Sequence, residues 1–255
     1  MDKHLNFFFA YNRSTELIEN NLTRAFVITL MFLTKSVRNS LLRSLNMNLS
    51  QFDFGNANFA LQNNIEKNPN SFKNKFLLTL SSESIFYLEK IYEKLDKNII
   101  KSTLINKKVP SEVHDNEKKY LKYLCTGSIP DAWVYDGSNN TFCILIECKK
   151  QNDIIQLPQI LRHAYENFGY TDLKYIKSIT IRLTWYDILE TFLTIYKQID
   201  ILNDQEKMLV NHFINYLSFF GYSYFKGFRF DKLFPAPAFS LNSKLFNFLS
   251  LKPLC

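Results

Sequence analysis

A run of five apolar residues, Phe142-Cys143-Ile144-Leu145-Ile146, ends on Glu147-Cys148-Lys149. Its length and β-branched content suit a strand, and the absence of a polar alternate position requires cover on both faces. A chain holding such a strand must build helices over each side of it, which points to an α/β architecture. Just upstream, Gly137-Ser138-Asn139-Asn140 offers residues that tolerate positive φ or bond their own backbone, so a tight turn and a preceding strand are expected. The antiparallel hairpin brings Asp131, at the start of the first strand, beside Glu147, at the end of the second. Glu147 and Lys149 are two apart and share a face. Two carboxylates and an ammonium at the mouth of a sheet suit a divalent metal with an adjacent cation. At a strand mouth they are expected to be dispensable for core packing.

Pro130-Asp131, a gap of fifteen residues and Glu147-Cys148-Lys149 resemble the signature of the PD-(D/E)xK, or restriction-endonuclease-like, nuclease superfamily. The resemblance implies an αβββαβ core, with a mixed central sheet flanked by helices. It also implies DNA as substrate and Mg²⁺ as cofactor, with Mn²⁺ able to substitute. Asp131, Glu147 and the carbonyl of Cys148 would hold the metal, and Lys149 would act on water and phosphate. In many superfamily members the opening helix lends a glutamate to the metal. Glu19 is the candidate here and Glu16 the second. The alternative is that both merely favour a helix N-terminus and face solvent. The helix after the lysine strand often carries a glutamine, which Gln159 matches. His163, one turn on, stands where one subfamily has tyrosine. Lys150, Arg162 and His163 are the expected substrate contacts.

The stretch E-N-N-L-T-R-A-F is similar to the opening helix of nucleases used in bacterial antiviral defence. That likeness implies an effector switched on by a sensor, by fusion to an oligomerisation domain or by forming a homo-oligomer. The competing readings are a catalytically inactive nucleic-acid-binding module of the same fold, and a protein-interaction domain.

Around the hairpin, apolar spacing predicts a first helix over 15–45, capped by Ser14 or Thr15. Residues 46–124 read as a helical or irregular insertion before the Pro-Asp strand. Within it, 46–74 is polar and Asn-rich, 75–80 is a candidate strand, 82–96 a helix burying Ile85 and Phe86, 99–109 β-like and 112–124 a short helix. After Lys149 the pattern predicts a helix from Leu157 to Gly169, with Pro158 in its first turn. A strand over 175–185 is expected beside the Glu-x-Lys strand, then helices over 186–198 and 205–220, the latter capped by Asp204. The aromatic stretch from Gly221 reads as an edge strand or packed tail. Pro235 and Pro237 mark a boundary, giving a domain of 1–234 and a tail of 235–255 that could lead into a further domain.

The net charge of +7 favours an anionic partner. Cys125, Cys143, Cys148 and Cys255 lack zinc-ligand spacing, so reduced thiols and a cytoplasmic protein are expected. The apolar stretch Ala25 to Leu33 is nine residues, well short of a membrane span.

Overall fold

The structure is a computed structural model that describes residues 19–62, 65–127, 129–150, 153–198 and 201–223, with backbone alone for 19 and 20. One compact unit reaches to Ser223. The expected caps Ser14 and Thr15, the second candidate Glu16, the aromatic stretch beyond Ser223, Cys255 and the 234–235 boundary lie outside the described residues.

Helices α1 (Glu19–Phe32) and α2 (Lys35–Leu45) open the fold. Strand β1 is Ala57–Leu61 and β2 is Asn74–Ser81. Three short helices follow: α3 (Glu89–Tyr92), α4 (Lys97–Asn106) and α5 (Asp115–Leu121). The hairpin is β3 (Ala132–Asp136) and β4 (Phe142–Cys148). Then come α6 (Leu157–Phe168), α7 (Leu173–Ser178), β5 (Thr180–Thr184), α8 (Trp185–Lys197) and α9 (Asp204–Phe219).

The five strands form one mixed sheet in the order β1-β3-β4-β2-β5. β3 runs antiparallel to β1 and β4, while β2 runs parallel to β4 and β5. Period-two alternation divides the core. Phe76, Leu78, Val134, Ile144 and Ile146 face one apolar cluster with α1, α2, α8 and α9. Leu77, Trp133, Tyr135, Cys143 and Leu145 face a second with α4, α5, α6 and α7. Helices therefore cover both faces, as the doubly apolar β4 requires.

The hairpin turn is built as its residues suggest. The Asp136 carboxylate accepts from the Ser138, Asn139 and Thr141 N–H groups and from the Thr141 hydroxyl. Asn140 takes φ +53°, which asparagine tolerates. A side chain at Gly137 would collide with the amide of Asn58 on β1. Helix α6 begins with Pro158 in its first turn and ends at Gly169, whose φ of +71° supplies the left-handed cap.

Several expectations are corrected. The first helix breaks at 33–34, where the Arg38 guanidinium takes the carbonyls of Leu30, Met31 and Leu33 and so satisfies the end of α1. Segment 46–124 is no insertion beside the sheet, because it supplies both β1 and β2. Residues 99–109 are mostly helical, since the Asp96 side chain caps α4 by accepting from the Asn98 N–H. The helix expected over 82–96 shrinks to α3, because Leu88 adopts φ +68° and interrupts it. Residues 173–178 form α7, capped by Asp172, and leave only β5 as strand. β5 does not adjoin β4. The intervening β2 is apolar on both faces, whereas T-I-R-L-T carries polar residues that suit an edge.

Candidate active site

The C-terminal ends of β4 and β2 lie side by side, with Thr79 in register with Glu147 and Leu80 with Cys148. Asp131 closes the same end from the β3 side, where its N–H donates to the Ile146 carbonyl at 3.1 Å. Asp131, Glu147 and Lys149 are odd-numbered like Trp133, Cys143 and Leu145, and fall on the sheet face covered by α6. Proximity of Asp131 to the end of the Glu-x-Lys strand is thus set by the hairpin register.

Both carboxylates are enclosed. Asp131 is 8% exposed and Glu147 is 1% exposed. Asp131 Oδ2 accepts from the Cys148 N–H at 2.7 Å, which fixes the carboxylate against the strand end. Glu147 Oε1 accepts from Lys149 Nζ at 3.0 Å and from the Gln159 side-chain amide. Its Oε2 accepts from His163 Nε2 at 3.0 Å. Gln159 and His163 are four apart on α6 and so present to one spot. The Lys149 side chain remains 20% exposed, which leaves its ammonium at the border of the site. Behind it, the Trp185 indole N–H donates to the Lys149 carbonyl at 2.8 Å and anchors the strand exit to α8.

The predicted residues therefore separate into groups. Asp131, Glu147, Lys149 and Gln159 converge. His163 joins them, buried on Glu147 rather than standing at a mouth. Lys150 follows Lys149 and is half-buried. Cys148 contributes its N–H to Asp131, and its side chain is buried on the opposite sheet face. Arg162 departs from its expected role as a substrate contact. Its guanidinium is wholly buried, donating to the Leu104 carbonyl at 2.9 Å and pairing with Glu166 at 2.9 Å. Arg162 is one residue before His163, a rotation of about 100° on the helix, which turns it away from the side His163 presents to Glu147. Glu19 begins α1, which packs on the face opposite Glu147, and its side chain lies outside the described residues.

Thr79 and Trp185 were not anticipated. Thr79 is buried beside Glu147 and its hydroxyl donates to the Ile181 carbonyl. A polar residue interrupting the apolar run of β2 was the available signal. Cys143 is a core thiol, which burial pushes up to about 12.

Among the described residues no group of three or more His, Cys, Asp and Glu side chains could hold a metal ion. Mg²⁺ needs less from a protein. One or two carboxylates commonly suffice, with waters and substrate oxygens completing the shell. Asp131 and Glu147 supply hard oxygen donors of that kind and number, in an enclosed setting where a cation offsets two negative charges. The donor chemistry of the two carboxylates is that such an ion takes, with the Glu147 oxygens also engaged by Lys149, Gln159 and His163. Among the described residues no helix is long and apolar enough to cross a membrane. No family model, curated protein or solved structure matches the chain.

Proposed function

We propose that the chain is a metal-dependent phosphodiester hydrolase acting on DNA, with a restriction-endonuclease-like site at the exit of β4. The observation that carries the reading is the convergence of Asp131, Glu147 and Lys149 on one sheet face, with Gln159 and His163 closing on Glu147 from α6. Asp131 and Glu147 would hold Mg²⁺ or Mn²⁺. A bound ion of that kind lowers the pKa of a coordinated water and offsets charge on a phosphate oxygen. The Cys148 N–H aims the Asp131 carboxylate. Gln159 and His163 fix the rotamer of Glu147, so that no reorganisation is required when substrate arrives. Lys149, at the solvent border, places positive charge where a phosphate would approach.

A second reading draws on the same hydrogen bonds. Glu147 already accepts from three donors, which suits a binding module of the same fold whose carboxylate has become structural. Plasmid and linear DNA incubated over a Mg²⁺ titration, with divalent binding followed by calorimetry, separates the two. The hydrolase reading expects cleavage that EDTA stops and that Asp131→Asn and Lys149→Ala abolish, with divalent binding retained in Lys149→Ala. Cleavage that persists in EDTA or in Asp131→Asn defeats it, and absence of divalent binding to the wild type favours the module.

A further inference from the structure

Strand β4 stops at Cys148, and the residue that follows it carries the ammonium of the site. On the β2 side the parallel ladder runs one bond further, because the Lys149 N–H donates to the Leu80 carbonyl at 2.7 Å. A ladder continued in that register would next give the Lys149 carbonyl the Ser82 N–H. β2 ends before that, at Ser81, whose hydroxyl turns onto the Glu83 carbonyl. At this point the indole N–H of Trp185 supplies a donor, 2.8 Å from the Lys149 carbonyl. The peptide that leaves Lys149 is therefore held by a side chain of α8.

Trp185 is fixed in one direction. It is the first residue of α8, and that helix starts on a reciprocal cap: the Thr184 hydroxyl accepts from the Asp187 N–H, and the Asp187 carboxylate accepts from the Thr184 N–H. The ring is wholly buried. Phe26 meets it edge-on with centroids 6.1 Å apart, and Tyr222 lies at 6.3 Å. A hydrocarbon ring would serve that packing. What the indole adds is a donor, and its bond goes to the residue whose ammonium stands 3.0 Å from Glu147 Oε1. A lysine stem is flexible, so where its head comes to rest depends on where the stem begins and on how rigidly that point is supported.

We propose that Trp185 is a positioning residue of this site: by holding the Lys149 carbonyl it fixes the base of the lysine stem, and with it the ammonium against Glu147. The inference rests on the nuclease reading for what that ammonium does. Trp185 packs in the cluster on the opposite sheet face and acts through Lys149. Positive charge counts most where phosphate charge builds up, in the transition state. A displaced ammonium therefore slows the chemical step more than it weakens binding.

The test replaces Trp185 in the full chain, by site-specific incorporation, with benzothienylalanine, which keeps the ring shape and puts sulfur in place of the N–H. Fluorotryptophan, which keeps the N–H, is the rescue control. Cleavage of a labelled DNA duplex in Mg²⁺ gives kcat and KM, calorimetry gives divalent affinity, and thermal melts set a temperature at which every protein is folded. A displacement on the order of 1 Å costs up to about 100-fold in rate, so kcat should fall about 10- to 100-fold in the benzothienyl protein, with KM and divalent affinity within about twofold. Fluorotryptophan should keep the wild-type kcat. A second readout needs no turnover. In the lysine ammonium NMR spectrum of isotopically labelled protein, the Lys149 signal is identified by its loss in Lys149→Arg, and it should shift or broaden in the benzothienyl protein. Unchanged kcat overturns the proposal, as does an unchanged ammonium signal. So does an equal loss with fluorotryptophan, or a rise in KM that accounts for the whole loss. A benzothienyl protein that cannot fold also overturns it, because the N–H is then a requirement of the fold. A wild type that cuts no DNA refutes the hydrolase reading, and the ammonium signal alone then decides whether Trp185 positions Lys149.

Discussion

Replacing Glu147 by alanine tests what the carboxylate does for the fold. The sequence suggests a dispensable strand-mouth carboxylate whose loss relieves repulsion with Asp131. The structure argues the reverse. Glu147 is 1% exposed and accepts from Lys149, Gln159 and His163. Its removal takes away the acceptor that three donors share and empties an enclosed space. Breaking one side of a buried charged pair costs about 3–5 kcal/mol. Lys149, still 20% exposed, can recover water, which favours the lower end, about 3 kcal/mol. Repulsion from Asp131 is already moderated by the Lys149 ammonium and by the Cys148 N–H on Oδ2, so its relief returns little. For a chain of this size about 3 kcal/mol corresponds to a melting point lower by about 6–12 °C. Urea unfolding followed by the fluorescence of Trp133 and Trp185, both buried, reads the change directly. Glu147→Gln keeps one acceptor and the shape, and should lose about 1–3 kcal/mol. A Glu147→Ala protein as stable as wild type, or more so, refutes the reasoning and restores the picture of a solvated carboxylate.

Two further outcomes concern polar contacts elsewhere in the fold. Hydrogen bonding to Arg182 outweighs burial and, with Lys177, holds the Glu89 carboxyl at about 2. At Asp136 burial acts upward, yet the bonds from Thr141, Ser138 and Asn139 hold it at about 2 as well. Both sit below their unfolded values of about 4, so their contribution is complete above about pH 4.5 and is lost as pH falls toward 2. Urea midpoints at pH 6, 4 and 2.5 should drop steeply, and Glu89→Gln with Asp136→Asn should flatten that slope; an unaltered slope refutes the assignment. Arg162→Met should destabilise by about 1–3 kcal/mol, through the Leu104 carbonyl left without its donor, Glu166 keeping Lys107 as a partner, while DNA affinity measured by anisotropy stays within twofold. A selective loss of DNA binding at unchanged stability would return Arg162 to the substrate surface.

What could be read from the residues was whatever had a local cause. The β3–β4 turn was legible because Asp136, Gly137 and Asn140 each answer a short-range requirement. Helix α6 was legible because Pro158 and Gly169 punctuate it. Two local signals compete at α4 and α7: the β-branched isoleucines of each segment suit a strand, while Asp96 and Asp172 cap a helix, and the caps prevail.

The seat of β2 belongs to another category. N-K-F-L-L-T-L-S and F-C-I-L-I-E-C are both apolar on two faces, and each requires a strand on either side. One sheet satisfies both by placing them together at its centre, with β3 and β5 outside them. No window of sequence contains that comparison, which is made between segments some seventy residues apart. The same step decides the site. Spacing on α6 shows that Gln159 and His163 share a face, but whether that face meets substrate or protein depends on how far the helix descends onto the sheet. It descends until His163 is buried on Glu147, and Arg162, one position away, is carried inside with it. Seating β2 beside β4 also sends the 82–88 loop past the mouth of the site.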